Sequence, residues 1–333
     1  MFYMFCDSSR SFENVIVPKT FRTPYLILFY SDWCFTCLQV EPTWRRLIDE
    51  LEPLGLGLAT AHAEKESALA RKLGIHSLPC LVITIDGRTS VYKESLFSIQ
   101  KIVGMYNIIL YNTISYYDGT KLLISFTDFL RNKFPYKLIS NINKNNVDNF
   151  LSGWIDNRIR ALIFDKKESV RLRYLFIAFY YRDRVAFGFV QVPFISIHLQ
   201  FIKLFSFSII SVAIYFLQTG KPDTELIVVK YKISVDLDTL LLFNENSEKP
   251  MASVSMKDIS SDTMHNVISN NKFLALPRLS NQAMLDSVCP PEWLRPQKRL
   301  CAVLISQQNS PLHDLARHKF RQAALESSYR YNN

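Results

Sequence analysis

Two cysteines separated by two residues, Cys34 and Cys37, stand between an apolar run and a helix-patterned segment. Residues 25–30, YLILFY, show no alternation of polar and apolar positions, as a strand covered on both faces requires. Ser31-Asp32-Trp33-Cys34-Phe35-Thr36-Cys37 follows directly, and the segment from Cys34 to about Leu51 puts Trp44, Leu47, Ile48 and Leu51 on one helical face. Both thiols therefore fall within one turn at a strand-to-helix junction. There, unpaired backbone N–H groups and the helix dipole favour a thiolate. Cys34 is expected to be the exposed nucleophile and Cys37, one turn deeper, the resolving thiol.

The residues around this junction extend the pattern. Pro42, five residues past Cys37, should bend the helix by leaving the Leu38 carbonyl without its intrahelical partner. Residues 12–24 read as a lead-in segment ending in a turn, 56–62 as a strand and 67–73 as a short helix. Residues 81–85 and 89–92 form a hairpin across Asp86-Gly87. The order is β-α-β-α-β-β. With Ile75-His76-Ser77-Leu78-Pro79 ahead of the hairpin, the whole resembles a thioredoxin-like α/β fold. That resemblance implies a cis Leu78-Pro79 peptide opposite the dithiol. Trp33, Leu78 and Pro79 would then dock an extended substrate, with Trp33 shielding the pair.

Composition narrows the alternatives. A chain of 333 residues with 48% hydrophobic and 13% aromatic content can build two domains with real cores. The net charge is +9, but Lys and Arg are scattered without interleaved aromatics, so a nucleic-acid partner is not expected. Six cysteines, unevenly placed, do not make a disulfide framework. A zinc site needs a second ligand pair, and none follows Cys34 and Cys37 at ligand spacing. Cys289 and Cys301 have eleven residues between them, with His313 and His318 beyond, and read as core or strand residues. Cys80 reads as a small buried hydrophobe, and His62 and His76 as strand-end or loop residues satisfied locally. No metal and no cofactor is expected. The first ten residues lack the basic start and apolar stretch of a secretory signal.

Phrases outside the dithiol carry a closer resemblance. Pro24-Tyr25-Leu26-Ile27, the run 31–37, Glu41-Pro42, Leu51-Glu52-Pro53-Leu54-Gly55 and Phe150-Leu151-Ser152-Gly153-Trp154 resemble the DnaJ homologue subfamily C member 16 family through most of residues 12–305. The resemblance implies an N-terminal J domain, several thioredoxin-like segments, a membrane anchor, a place at the endoplasmic reticulum and a part in autophagosome formation. Neither a His-Pro-Asp tripeptide nor a J-domain helix pair precedes Phe12, so Hsp70 would be engaged only through a J domain absent from this chain, which reads as a fragment or partial gene product. Phe35 and Thr36 stand between the cysteines where efficient thioredoxins have Gly-Pro. Leu28 stands where they hold a buried acid, so proton removal from Cys37 should be slow.

The second half repeats the pattern. Residues 160–165, 169–181, 185–192, 224–232, 239–243, 251–254 and 260–273 read β-α-β-α-β-β-α without a cysteine. This resembles a second thioredoxin-like module that has lost its dithiol, with Asp238 where a cis-proline would precede Thr239. The basic residues between 158 and 184 read as a solvated face. Residues 290–299 read as a linker and 300–306 as the first strand of a third module. The organisation expected is a linker remnant at 1–11, a thioredoxin-like domain at 12–140, a redox-inactive module at 141–288, and an incomplete third module or tail at 289–333.

Two stretches interrupt this spacing. Residues 103–125 separate the hairpin from an expected closing helix at 126–134, and 193–218 separate a strand from its following helix. Both are rich in Ile, Phe, Tyr and Ser, and deleting them restores both modules. They are therefore read as retained intron sequence. The competing reading of 194–217 is a transmembrane segment, against which Lys203 costs roughly 2.5 to 3.5 kcal/mol.

Two functional readings follow. In one, a DnaJ-related co-chaperone at the endoplasmic reticulum membrane performs thiol–disulfide exchange on client proteins, acting as a protein thiol-disulfide oxidoreductase. In the other, a non-enzymatic adaptor binds clients or partners and the dithiol is incidental. The intact cysteine pair favours the first; Leu28 and the cysteine-free second module favour the second.

Overall fold

The computed structural model describes residues 4–5, 9–92, 129–135, 137–152, 156–192, 223–245, 248–289, 301–307 and 310–326. The chain divides into two compact units, Met1–Ser140 with Lys167–Arg182 and Ser260–His265, and Asn141–Lys166 with Asp183–Ile259 and Asn266–Asn333.

In the first unit, β1 (Met4–Phe5) precedes a continuous helical segment, α1, made of Ser9–Ser11, a wider π-helical turn Phe12–Ile16, and Val17–Lys19. This helix was not legible as such in residues 12–24. Then come β2 (Tyr25–Tyr30), α2 (Phe35–Leu51), a 3₁₀ turn Glu52–Leu54, β3 (Gly57–His62), α3 (Ser67–Lys72), β4 (Cys80–Ile85) and β5 (Arg88–Val91). The sheet order is β1-β3-β2-β4-β5, with β3 parallel to β1 and β2, and β4 antiparallel to β2 and β5. This is the mixed sheet of a thioredoxin-like fold.

The unbroken apolar run of β2 is explained by burial on both faces. Leu26 and Leu28 join Val40, Trp44 and Ile48 of α2, while Tyr25, Ile27 and Phe29 join Phe12 and Ile16 of α1 with Leu69 of α3. Strand β4 divides in the same way, Leu81 and Ile83 to one side, Cys80 and Val82 to the other. Leu26, Ile27 and Phe29 are fully buried, each contributing about 1.5–3 kcal/mol of transfer free energy. The hairpin turns at Asp86 and Gly87, both at positive φ (54° and 73°), as a type I′ turn requires. Thr20, fully buried at the end of α1, fixes that turn: its carbonyl accepts from the Asp86 N–H and its Oγ1 from the Gly87 N–H, each at 3.0 Å. Helix α2 runs without interruption through Pro42.

The second sheet contains β6 (Ile139–Asn141), β7 (Ile159–Asp165), β8 (Val185–Gln191), β9 (Asp238–Phe243) and β10 (Ala252–Met256). Its order, β10-β9-β7-β8-β6, repeats that of the first sheet, with β7 parallel to β8 and antiparallel to β9. The helices of this half of the chain are α4 (Val147–Ser152), α5 (Leu172–Tyr180), α6 (Glu225–Lys230), α7 (Ser261–Asn271), α8 (Gln282–Val288) and α9 (Pro311–Glu326). Leu162, Phe164, Val190, Leu241 and Phe243 form a core with Val147 and Leu151 of α4 and Ile227 of α6.

Several expectations need correction. Arg160 is not part of a solvated face: it is 4% exposed and donates to Asp156 at 3.0 Å, to the Phe150 carbonyl at 2.7 Å and to the Arg158 carbonyl at 3.0 Å. Arg182 is also engaged, with Asp86 at 2.7 Å. Residues 301–307 pair with no strand among the described residues, so the third-module strand expected at 300–306 does not form there. Of the closing helix at 126–134, residues 129–131 are helical and 126–128 lie outside the described residues. The stretches 103–125 and 193–218, including the membrane reading of 194–217, also lie outside them. Among the described residues, no helix is long and apolar enough to cross a membrane.

Candidate functional site

Strand β2 ends at Tyr30, and the turn 31–34 delivers Cys34 to the start of α2. The Cys34 N–H donates to the Ser31 carbonyl at 3.2 Å, closing that turn. Cys34 is the N-cap of α2, in extended conformation (φ −91°, ψ 99°), and its sulfur accepts the Cys37 N–H at 3.2 Å. The side chain thus occupies the place where Ser or Asp usually satisfies a free helical N–H. Cys34 and Cys37 are joined in a disulfide with Cα atoms 5.2 Å apart. Cys34 is half-buried and Cys37 is 7% exposed, so one sulfur is presented and the other withheld.

The Leu78-Pro79 peptide is cis. It lies against the dithiol through Thr36, whose Oγ1 stands 3.2 Å from Cys34 Sγ and 3.5 Å from the Leu78 carbonyl. Trp33 does not cover the pair: at 89% exposure it projects into solvent, beside Phe35 at 71% and Leu38 at 57%. The position expected to lack a buried acid does lack one, since Leu28 is 5% exposed within the apolar cluster under α2.

A polar group on the other side of the turn was not read from sequence. Ser31 Oγ, in a residue 4% exposed, donates to Glu64 Oε1 at 2.5 Å and accepts the Trp33 N–H at 3.3 Å. His62, 8% exposed at the end of β3, accepts the Lys65 N–H on Nδ1 at 3.4 Å, and its Nε2 stands 3.1 Å from Asp32 Oδ2. Its ring meets Tyr30 edge-on, with centroids 5.2 Å apart. These contacts hold the turn that carries Cys34. Ser, Asp and His around a Cys-x-x-Cys pair carry no spacing rule, so only the register of β2 on β3 brings them together.

Cys80 is buried, as read, and in no disulfide, and burial pushes its thiol pKa up. Cys289 and Cys301 are a different matter. They form a disulfide closing a 12-residue separation, with Cα atoms 6.2 Å apart, whereas the sequence suggested core or strand residues. Cys289 sits at the end of α8, where its N–H donates to the Leu285 carbonyl at 2.7 Å. No group of three or more metal-ligating side chains comes together among the described residues.

The family described as "DJC16, Thioredoxin-like domain 2" matches residues 141–202 and 196–271, and "DJC16, Thioredoxin-like domain 3" matches 278–333. The thioredoxin family matches residues 4–104. DnaJ homolog subfamily C member 16 of Gallus gallus is 30% identical over 302 residues, 90% of this chain and 32% of that protein. The chain belongs to the DnaJ homolog subfamily C member 16 family. The Homo sapiens member is 29% identical over the same length, again 90% of this chain and 32% of that protein. The chain therefore spans about a third of the length of these relatives of the DnaJ C16 family. Among solved structures, ERdj5 form II is similar over 79% of this chain and 28% of its own, at 12% identity and a TM-score of 0.42.

Proposed function

We propose that the first module performs thiol–disulfide exchange on client proteins, as part of a DnaJ-related co-chaperone. The observation carrying this reading is the asymmetric dithiol: a half-buried Cys34 whose sulfur takes the place of a helix N-cap, backed by a withheld Cys37. In the reducing direction, the Cys34 thiolate attacks a client disulfide, forming a mixed disulfide and expelling one client thiolate. Cys37, losing its proton, then attacks Cys34 Sγ and expels the second client thiolate. Two electrons have passed to the client, and Cys34–Cys37 is a disulfide; the reverse sequence oxidises a client dithiol. Trp33, Phe35 and Leu38 offer an apolar rim to an unfolded client, and the backbone at Leu78 and Pro79 offers an edge for an extended chain.

Replacing Cys37 by Ser in the full chain removes the resolving thiol. That variant should accumulate clients in mixed disulfides, visible on non-reducing gels and lost on reduction, while Cys34→Ser accumulates none. Equal capture by both variants, resistant to reductant, would overturn exchange and support the second reading, a non-covalent adaptor. Leu28 is the observation favouring that second reading, because nothing ionisable stands at that strand position to accept the Cys37 proton.

Family membership supports a place at the endoplasmic reticulum membrane and a link to autophagosome formation. Partners on this reading are client proteins, with Hsp70 engaged through a J domain outside this chain. Imaging of the tagged chain against reticulum and autophagosome markers tests the placement, and a uniformly cytosolic signal would refute it. Carbonate extraction separately tests anchoring by 194–217.

A further inference from the structure

Thr36 lies between the two cysteines, and its hydroxyl touches two acceptors. Oγ1 stands 3.2 Å from Cys34 Sγ and 3.5 Å from the carbonyl oxygen of Leu78. A hydroxyl has one proton to donate. In the disulfide, Cys34 Sγ carries neither proton nor charge and is a weak acceptor, so the carbonyl is the better partner. Reduction followed by ionisation reverses that preference, because a hydrogen bond to an anionic acceptor is roughly twice as strong as one between neutral groups. Residue 36 then has a donor that a proline in the same place would lack.

We propose that Thr36 is a positioning residue whose hydroxyl turns from the Leu78 carbonyl to the Cys34 thiolate when the dithiol is reduced. This rests on the exchange reading above and deepens it. With Thr36 turned, the thiolate accepts two hydrogen bonds, one from the Cys37 N–H already present at 3.2 Å and one from Thr36. The same movement releases the Leu78 carbonyl to accept the backbone N–H of a client laid across the site. The redox state of the sulfurs and the readiness of the docking edge are thereby linked through one side chain.

The test is the pH dependence of Cys34 alkylation by iodoacetamide in the reduced full chain, read by mass spectrometry at that cysteine. Thr36→Val keeps the shape and removes the hydroxyl; Thr36→Ser keeps the hydroxyl. The valine variant should raise the alkylation midpoint by about one to two pH units, the size expected for losing a hydrogen bond to a charged group, and serine should restore it. An unchanged midpoint in the valine variant would overturn the proposal, and so would an equal shift in the serine variant, since the hydroxyl would then not be the cause. The midpoint is measured on the thiol itself and does not require turnover. A wild-type chain that never re-forms the Cys34–Cys37 disulfide in glutathione buffers refutes the exchange reading, while the midpoint still decides the role of Thr36.

Discussion

Leu28→Asp tests whether the absence of a buried base limits the chemistry. Leu28 is 5% exposed on β2, paired in register with Thr60 on β3 and Leu81 on β4, and it shares an apolar cluster with Val40 of α2. Cys37 precedes Val40 by one helical turn, so a carboxyl at position 28 lies beneath the resolving thiol. The substitution forfeits about 2–3 kcal/mol of apolar burial and about 1–3 kcal/mol for burying a carboxyl group. Thr60 Oγ1, buried without a hydrogen-bond partner among the described residues, can return about 1 kcal/mol as a donor. The net cost is about 2–5 kcal/mol at a pH where the acid is protonated. Burial raises the acid's pKa, so the folded state binds its proton more tightly than the unfolded chain and the cost grows as pH rises above about 4. Urea unfolding at pH 5 and pH 8 reads this directly. In exchange for stability, the variant gains a base for Cys37, and general-base assistance is worth about 10²–10⁴-fold. Stopped-flow resolution of a mixed disulfide formed at Cys34 should therefore accelerate by at least about tenfold at pH 7. A folded Leu28→Asp chain that resolves no faster than wild type refutes the claim that proton removal from Cys37 is limiting.

Arg160→Ala leaves the Phe150 and Arg158 carbonyls without their buried donor and should cost about 1–3 kcal/mol, seen as lost hydrogen-exchange protection along β7 in the full chain. Cys289→Ser opens the second disulfide. Loop-closure entropy for its 12-residue separation predicts a loss of about 3 kcal/mol, measured as a drop in urea midpoint against wild type with both chains kept free of reductant. His265 stands 3.2 Å from Tyr181 Oη on Nδ1, and burial lowers its pKa from 6.5 while Asp262 opposes the shift. The folded state then binds fewer protons at this site, so its contribution to stability is intact above pH 6.5 and is lost as pH falls below that value. Thermal melts between pH 8 and pH 5 should show this acid loss in wild type and a flatter profile in His265→Gln.

What could be read from sequence follows from how each element is specified. Strands β2 and β4 were visible because burial on both faces leaves an unbroken apolar run, and the Asp86-Gly87 hairpin because positive φ at two successive residues selects those residue types. Cys34, Cys37 and the cis proline were legible as a motif with fixed spacing. Helix α1 was not, since Pro18 near its end and a π turn in its middle break the 3.6-residue pattern. Arg160 was read as surface because charge alone does not reveal that a carboxylate and two carbonyls wait for it in the interior. The Cys289–Cys301 bond was missed because pairing across eleven residues depends on where α8 ends, which spacing does not encode. The contacts of Asp32 with His62 and of Ser31 with Glu64 depend on strand register and could be found only in three dimensions.

The two modules separate what closes the sheet from what the first module adds at one end of it. Both sheets have the same order, and in each the buried central strand, β2 or β7, pairs parallel on one side and antiparallel on the other. After β2, the four residues 31–34, the last of them the cysteine cap, lead to a 17-residue helix; after β7, the six residues 166–171 lead to a nine-residue helix without a side-chain cap. Before β4 stands the cis Leu78-Pro79 peptide, whereas β9 opens with Asp238, 5% exposed and paired in register with Met256. The second sheet is complete without either feature, so neither the dithiol nor the proline is needed to close a sheet of this order. Their presence in the first module is then not explained by folding. An exposed Trp33 and Phe35 cost solvation without adding to any core, and a cysteine does what Ser or Asp would do better as a cap. The dithiol, the cis proline and the exposed Trp33 and Phe35 are additions to the first module that closing its sheet does not require.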